Sequence, residues 1–117
     1  MNAYNLSLAI TKALKEKWGY ENPRPYNDDE RRVWCLGGGN FLNYEYLDNI
    51  MPALRWIEEK DGNNMEAHHE GDVVFYLMGK LEGGKFFEYS GDGKTDREAA
   101  MNLLAKLCGV SLEGEMK

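Results

Sequence analysis

The stretch Arg31-Arg32-Val33-Trp34-Cys35-Leu36-Gly37-Gly38-Gly39-Asn40-Phe41-Leu42-Asn43-Tyr44 concentrates the chemistry of the chain. Two arginines enter it, three glycines interrupt it, and aromatic rings stand on both sides. Guanidinium groups bind phosphate through paired, charge-assisted hydrogen bonds. Backbone amides laid open by glycine cradle anions, and a flat ring stacked on a nucleobase contributes about 1–3 kcal/mol. With Trp18, Tyr20, Arg24 and Tyr26 just upstream, these are the ingredients for holding an anionic, ring-bearing small molecule. On that reading Arg24, Arg31 and Arg32 meet phosphate. Trp18, Tyr20, Tyr26, Trp34 and Phe41 offer stacking surfaces, and Gly37 to Gly39, with Gly38 at the centre, let the backbone approach closely. The plain structural alternative puts Trp18 and Trp34 in the core, lays Tyr20 and Tyr26 over the first helix, and pairs the arginines with Asp28, Asp29 and Glu30.

A second candidate is Gly91-Asp92-Gly93-Lys94-Thr95, between a strand and a helix. It reads like the end of a phosphate-binding loop, but the full motif needs a glycine five residues before Gly93, where Glu88 stands. A weaker expectation survives, that Lys94 and Thr95 contact an anion at a helix N-terminus. Thr95 is equally explained as the cap of that helix. His68-His69 invites a metal, yet neighbours on a strand point to opposite faces and cannot share one ion. His69 is better read as a half-buried, hydrogen-bonded histidine. Nothing places Cys35 or Cys108 beside a histidine, and pairing any two of the many carboxylates would be arbitrary. No residue volunteers as a catalyst, so the expectation is a non-enzymatic protein with no cofactor and no metal.

The elements that must position these residues follow from periodicity. Leu6, Ile10, Ala13, Leu14 and Trp18 recur at helical spacing and predict a helix over Tyr4 to Trp18, with Gly19 as its stop. Regular pattern is lost from Tyr20 to Tyr44, apart from a short strand expected over Arg32 to Leu36. A connector this long in a small domain is often functional. A second helix is expected after Asp48 or Asn49 as N-cap, ending near Lys60, with Pro52 in its first turn, where the missing N–H matters little. Three strands follow, Met65 to His69, Val73 to Leu81 and Lys85 to Tyr89, joined by glycine turns into an antiparallel meander. The middle strand is apolar on both faces, so cover on both sides is expected. Thr95-Asp96-Arg97-Glu98 is a capping box opening a third helix that ends at Gly109. The fold class is therefore α+β: a small antiparallel sheet of three to four strands covered by about three helices, sandwich-like.

At 117 residues the chain is read as one domain over 1–117, with 110–117 as a frayed tail. A chain of this size buries roughly two-thirds of its unfolded surface. The net charge of −6 argues against broad, non-specific nucleic-acid binding, which needs an electropositive face. Two distant cysteines without a CxxC pair read as reduced, buried thiols. No run reaches the ~18 apolar residues of a membrane span, and Met1 to Asn5 has no charged or apolar leader pattern. Residence in a cytosol is the expectation.

The order of elements resembles a known family. Ala13-Leu14-Lys15-Glu16-Lys17-Trp18-Gly19-Tyr20 is similar to the opening helix of the phage ABA sandwich domain family. Leu54-Arg55-Trp56-Ile57-Glu58-Glu59-Lys60 is similar to the close of that family's second helix, and Arg97 to Leu107 falls where its last helix does. The chain carries Met101 and Asn102 where the family often has a cysteine and an arginine. The resemblance implies a phage or prophage protein with helices on both faces of an antiparallel sheet, working in the host cytoplasm. Proteins of this look include anti-defence sponges of the Thoeris type, oligomers that capture a cyclic ADP-ribose-type signal without cleaving it. The leading expectation is thus a homo-oligomeric protein that sequesters a cyclic-nucleotide signal. The other is a protein-interaction module or inhibitor of a host protein that uses an acidic surface.

Overall fold

The computed structural model describes residues 3–21, 33–36, 39–61 and 64–110; among these, the side chains of 3, 33–36, 39–41 and 80–82 are outside the description. The element order is α1 (Ala3–Trp18), β1 (Val33–Leu36), β2 (Gly39–Leu42), α2 (Leu47–Asp61), β3 (Met65–Glu70), β4 (Val73–Glu82), β5 (Lys85–Gly93) and α3 (Asp96–Cys108). β3, β4 and β5 form an open antiparallel meander, and β1 and β2 form a separate hairpin. Among the described residues the fold is α+β, with three helices and a three-stranded meander, as the sequence predicts.

α1 buries the stripe the spacing predicts: Leu6, Ile10, Leu14 and Trp18 are all buried. Gly19 stops it at φ 64, a left-handed conformation that glycine takes without a side-chain clash. The amide of Gly19 donates to the Lys15 carbonyl and that of Tyr20 to the Leu14 carbonyl, which satisfies two of the last carbonyls of the helix. α2 buries Ile50, Ala53, Leu54 and Ile57. It begins earlier than the sequence predicts, so Pro52 stands in the second turn and supplies no N–H to the Asp48 carbonyl.

α3 lies across β4 and β5 with α1 and α2 packed around it, and its Ala99, Ala100, Leu103, Leu104, Ala105, Leu107 and Cys108 are all buried. Its N-terminus carries the predicted cap in a shifted form. The Glu98 amide donates to Thr95 Oγ1, but the Glu98 carboxylate accepts from the Lys94 amide rather than from that of Thr95. Gly109, at φ 72 and ψ 23, closes its C-terminus.

β5 runs to Gly93 instead of stopping at Tyr89. Gly91 and Gly93 lie on the strand face beneath α3. A Cβ at Gly91 would overlap the Ala99 carbonyl and the Leu103 amide, and one at Gly93 would fall 3.0 Å from the Ala99 nitrogen. These two glycines serve the close approach of helix and strand. That corrects the sequence reading of Gly91–Thr95 as a loop.

Candidate functional site

Register divides the sheet into two unlike faces. Val74, Tyr76 and Met78 of β4 face the helices and are buried. Val73, Phe75 and Leu77 alternate with them and face the other way. The pairs Glu66 with Leu77, His68 with Phe75 and Glu70 with Val73 set the β3 neighbours on that face. Leu77 with Ser90, Phe75 with Asp92 and Gly79 with Glu88 set the β5 neighbours. The result is an apolar stripe on the central strand framed by the exposed carboxylates of Glu66, Glu70, Glu88 and Asp92. Val73 is 38% exposed and Phe86 67%, while Phe75 and Leu77 are half-buried. His68 is exposed, 3.8 Å from the Glu66 carboxylate. The helices pack on the opposite face, so among the described residues the expected two-sided cover of β4 is not found: one face is covered by helices and the other is open.

On the helix side, by the β3–β4 turn, lies a separate open depression of about 640 Å³ lined by His69, Gly71, Asp72, Val74, Lys94, Thr95 and Asp96. Asp96, the first residue of α3, ties that helix to the sheet. Its Oδ1 accepts from the Tyr76 hydroxyl at 2.9 Å and lies 3.0 Å from His69 Nε2. A carboxylate partner fixes Nε2 as the protonated nitrogen of the ring. The Tyr76 hydroxyl, and after it His69, hold the Asp96 carboxyl below its ordinary range, although partial desolvation opposes them. Burial first, and Asp96 second, raise the Tyr76 hydroxyl above its ordinary value. Thr95 Oγ1 is taken by the helix cap, and Asp96 and Glu98 already complement the helix dipole. With Glu98 accepting from the Lys94 amide and Thr95 accepting from the Glu98 amide, this N-terminus is capped from within the chain.

The predicted ligand residues are scattered in their surroundings. Trp18 is buried, and its Nε1 donates to the Asp61 carboxylate at 3.2 and 3.3 Å. Its carbonyl accepts from Trp56 Nε1 at 2.9 Å. Tyr20 is buried with its ring 5.6 Å from that of Trp56, and burial raises its hydroxyl above the ordinary value. Lys60 lies over the Trp56 ring at 4.9 Å and Lys17 beside that of Trp18 at 5.9 Å. Trp18 and Tyr20 are therefore core residues that join α1 to α2. Trp34 and Phe41 occupy directly opposed positions of the β1–β2 hairpin. Arg24, Tyr26, Arg31, Arg32 and Gly38 lie outside the described residues.

His68 and His69 do point to opposite faces, as alternation requires. Among the described residues no group of three or more His, Cys, Asp or Glu could hold a metal ion. The Cys108 thiol is buried, and no helix of the described residues is long and apolar enough to cross a membrane. Sequence reasoning missed the open sheet face and the Tyr76–Asp96–His69 cluster. The alternation of Val73, Phe75 and Leu77 was readable; the acidic frame around it needed the strand register. None of the protein-family models, curated proteins or solved structures compared with this chain matches it.

Proposed function

We propose that this is a binding protein that docks a basic macromolecular partner on the open face of its sheet. The observation that carries this reading is the apolar stripe of Val73, Phe75 and Leu77 set in a frame of four exposed carboxylates. An exposed apolar patch with a polar rim is a hallmark of interaction sites. The rim charges select a cationic partner and speed its approach, and the centre supplies desolvation. The net charge of −6 has the same sign as the frame and adds to the steering.

The test is amide chemical-shift mapping with two extended peptides, one alternating lysine with leucine and one alternating glutamate with leucine. Saturable shifts from the lysine peptide, clustered on Phe75, Leu77, Glu88 and Asp92 and abolished by Glu66→Lys with Glu88→Lys, support the reading. Equal response to both peptides, or shifts centred on the helices, overturn it. Added salt weakens the rim contribution, because the Debye length is about 8 Å at physiological ionic strength.

A second reading rests on the hairpin. Its register sets Trp34 directly opposite Phe41, and Arg31-Arg32 precede β1 in the sequence. Aromatic residues at paired positions, next in sequence to two arginines, suit a nucleotide, in keeping with the resemblance to phage anti-defence sponges. On this reading the chain is a homo-oligomeric phage product that sequesters a cyclic ADP-ribose-type signal in the host cytoplasm. Incubation with cyclic ADP-ribose isomers followed by heat denaturation returns the signal intact. Failure to retain any isomer rules the reading out. Retention undiminished by Arg31→Ala with Arg32→Ala removes the arginines from the site.

A further inference from the structure

We propose that two copies of the chain pair through the free edge of β5, antiparallel about Phe87, to make one six-stranded sheet. The direction of each backbone group on β5 follows from its turn. Gly83 and Gly84 both have positive φ, 57 and 80, and Glu82 is paired with Lys85, the arrangement of a two-residue type I′ hairpin. In such a hairpin the pair flanking the turn is hydrogen-bonded, and bonded and non-bonded pairs then alternate. Lys85, Phe87, Tyr89 and Gly91 therefore bond to β4, while Phe86, Glu88, Ser90 and Asp92 turn their amides and carbonyls to the free edge.

Half of that edge is closed by the chain itself. Lys106 Nζ donates to the Ser90 carbonyl at 2.7 Å, and Asn102 Nδ2 donates to the Asp92 carbonyl at 2.6 Å. Polar side chains laid on an edge carbonyl block strand addition there. Among the described residues nothing comparable covers Phe86 and Glu88. The same stretch carries two large exposed apolar side chains, Phe86 at 67% and Phe87 at 43%.

The occupant that fits this opening is a second copy. A two-fold axis normal to the sheet beside Phe87 sets Phe86 opposite Glu88 twice over, and each pair exchanges two backbone hydrogen bonds. Phe87 then meets its own copy at the closely spaced, non-hydrogen-bonded position, and Ser90 falls opposite the turn residue Gly84. Shifting by two residues one way asks Gly84 to pair; shifting the other way displaces Lys106 from Ser90. The central register pairs Phe86 and Glu88 with each other and leaves both closed carbonyls undisturbed. A dimer made this way carries the two open sheet faces side by side.

Sedimentation velocity over a dilution series tests the pairing, with far-UV circular dichroism to follow the fold. Proline at 88 removes an N–H that points away from β4, so Glu88→Pro spares the hairpin ladder. Glu88→Pro is expected to weaken dimerisation roughly tenfold or more, because two hydrogen bonds are lost per dimer. Phe87→Lys sets two ammonium groups at the closest cross-axis position and is expected to give a monomer with an unchanged spectrum; it decides the matter if the proline variant misfolds. A wild-type monomer at high concentration, or a dimer insensitive to both variants, overturns the proposal. So does a wild-type monomer whose β5 edge takes up a foreign extended peptide instead.

Discussion

Gly91 of β5 lies against Leu103 of α3 with no room between them for a side chain. The neighbours are backbone atoms of a buried helix, which cannot rotate aside. Gly91→Ala is expected to push α3 off the sheet and destabilise the fold by about 1–3 kcal/mol, the usual range for overpacking. Ser90→Ala, one residue away on the opposite face, is expected to change stability by less than about 0.5 kcal/mol. Urea denaturation of the two variants checks the contrast.

This contact also shows what a sequence hides. The three helices and the meander were legible because Leu6, Ile10 and Leu14, or Val74, Tyr76 and Met78, carry their periodicity in side chains. Gly91 and Gly93 carry none, so alternation stopped at Tyr89 and a helix-packing site read as an anion-binding loop. The same blindness concealed β2, whose first residue is Gly39. Trp18 and Tyr20 showed the converse difficulty. Rings suited to stacking on a base are equally suited to a core, and only the bonds of Trp18 to Asp61 and Trp56, and the contact of the buried Tyr20 ring with Trp56, reveal which use they serve.

Ser7 is a fully buried hydroxyl in the stripe of α1, and its Oγ accepts from the Tyr44 amide at 2.9 Å. That bond anchors the end of the β1–β2 segment to α1. Tyr44 is itself buried, and burial lifts its hydroxyl far above the ordinary value. Ser7→Ala leaves the Tyr44 amide without this acceptor inside the protein, with an expected loss of about 1–3 kcal/mol. Thermal unfolding measures it, and amide exchange should speed up at Tyr44 more than across α3. A loss confined to α3 would contradict the anchoring role.

The Asp96 carboxyl is held below its ordinary range when folded, first by the Tyr76 hydroxyl and then by His69. The sign follows from linkage. A group whose folded pKa is depressed contributes stability above its unfolded pKa, and that contribution is lost as pH falls through the folded value. The gap in stability between the wild type and Tyr76→Phe should therefore be widest near neutral pH and narrow on acidification below the ordinary carboxyl range. Chemical denaturation at a series of pH values records it. A gap that widens toward acid would mean that the Tyr76 hydroxyl favours the protonated carboxyl.

Phe86 and Phe87 are neighbours with different reasons to be aromatic. A Cβ at Gly79 would run into the Phe86 ring, because that ring lies across the bare backbone of β4. An aromatic side chain laid over a cross-strand glycine shields its hydrogen bonds from water. Phe86→Ala is expected to cost the monomer roughly 0.2–1 kcal/mol, the range of cross-strand side-chain pairs, with faster amide exchange at Gly79. For Phe87, 43% exposed, the described residues show no such partner, so Phe87→Ala should leave monomer stability within about 0.5 kcal/mol. Its effect should fall on association instead. Denaturation over a dilution series separates the two: Phe86→Ala should lower the midpoint at every concentration, whereas Phe87→Ala should lower it only where the proposed β5 pairing forms.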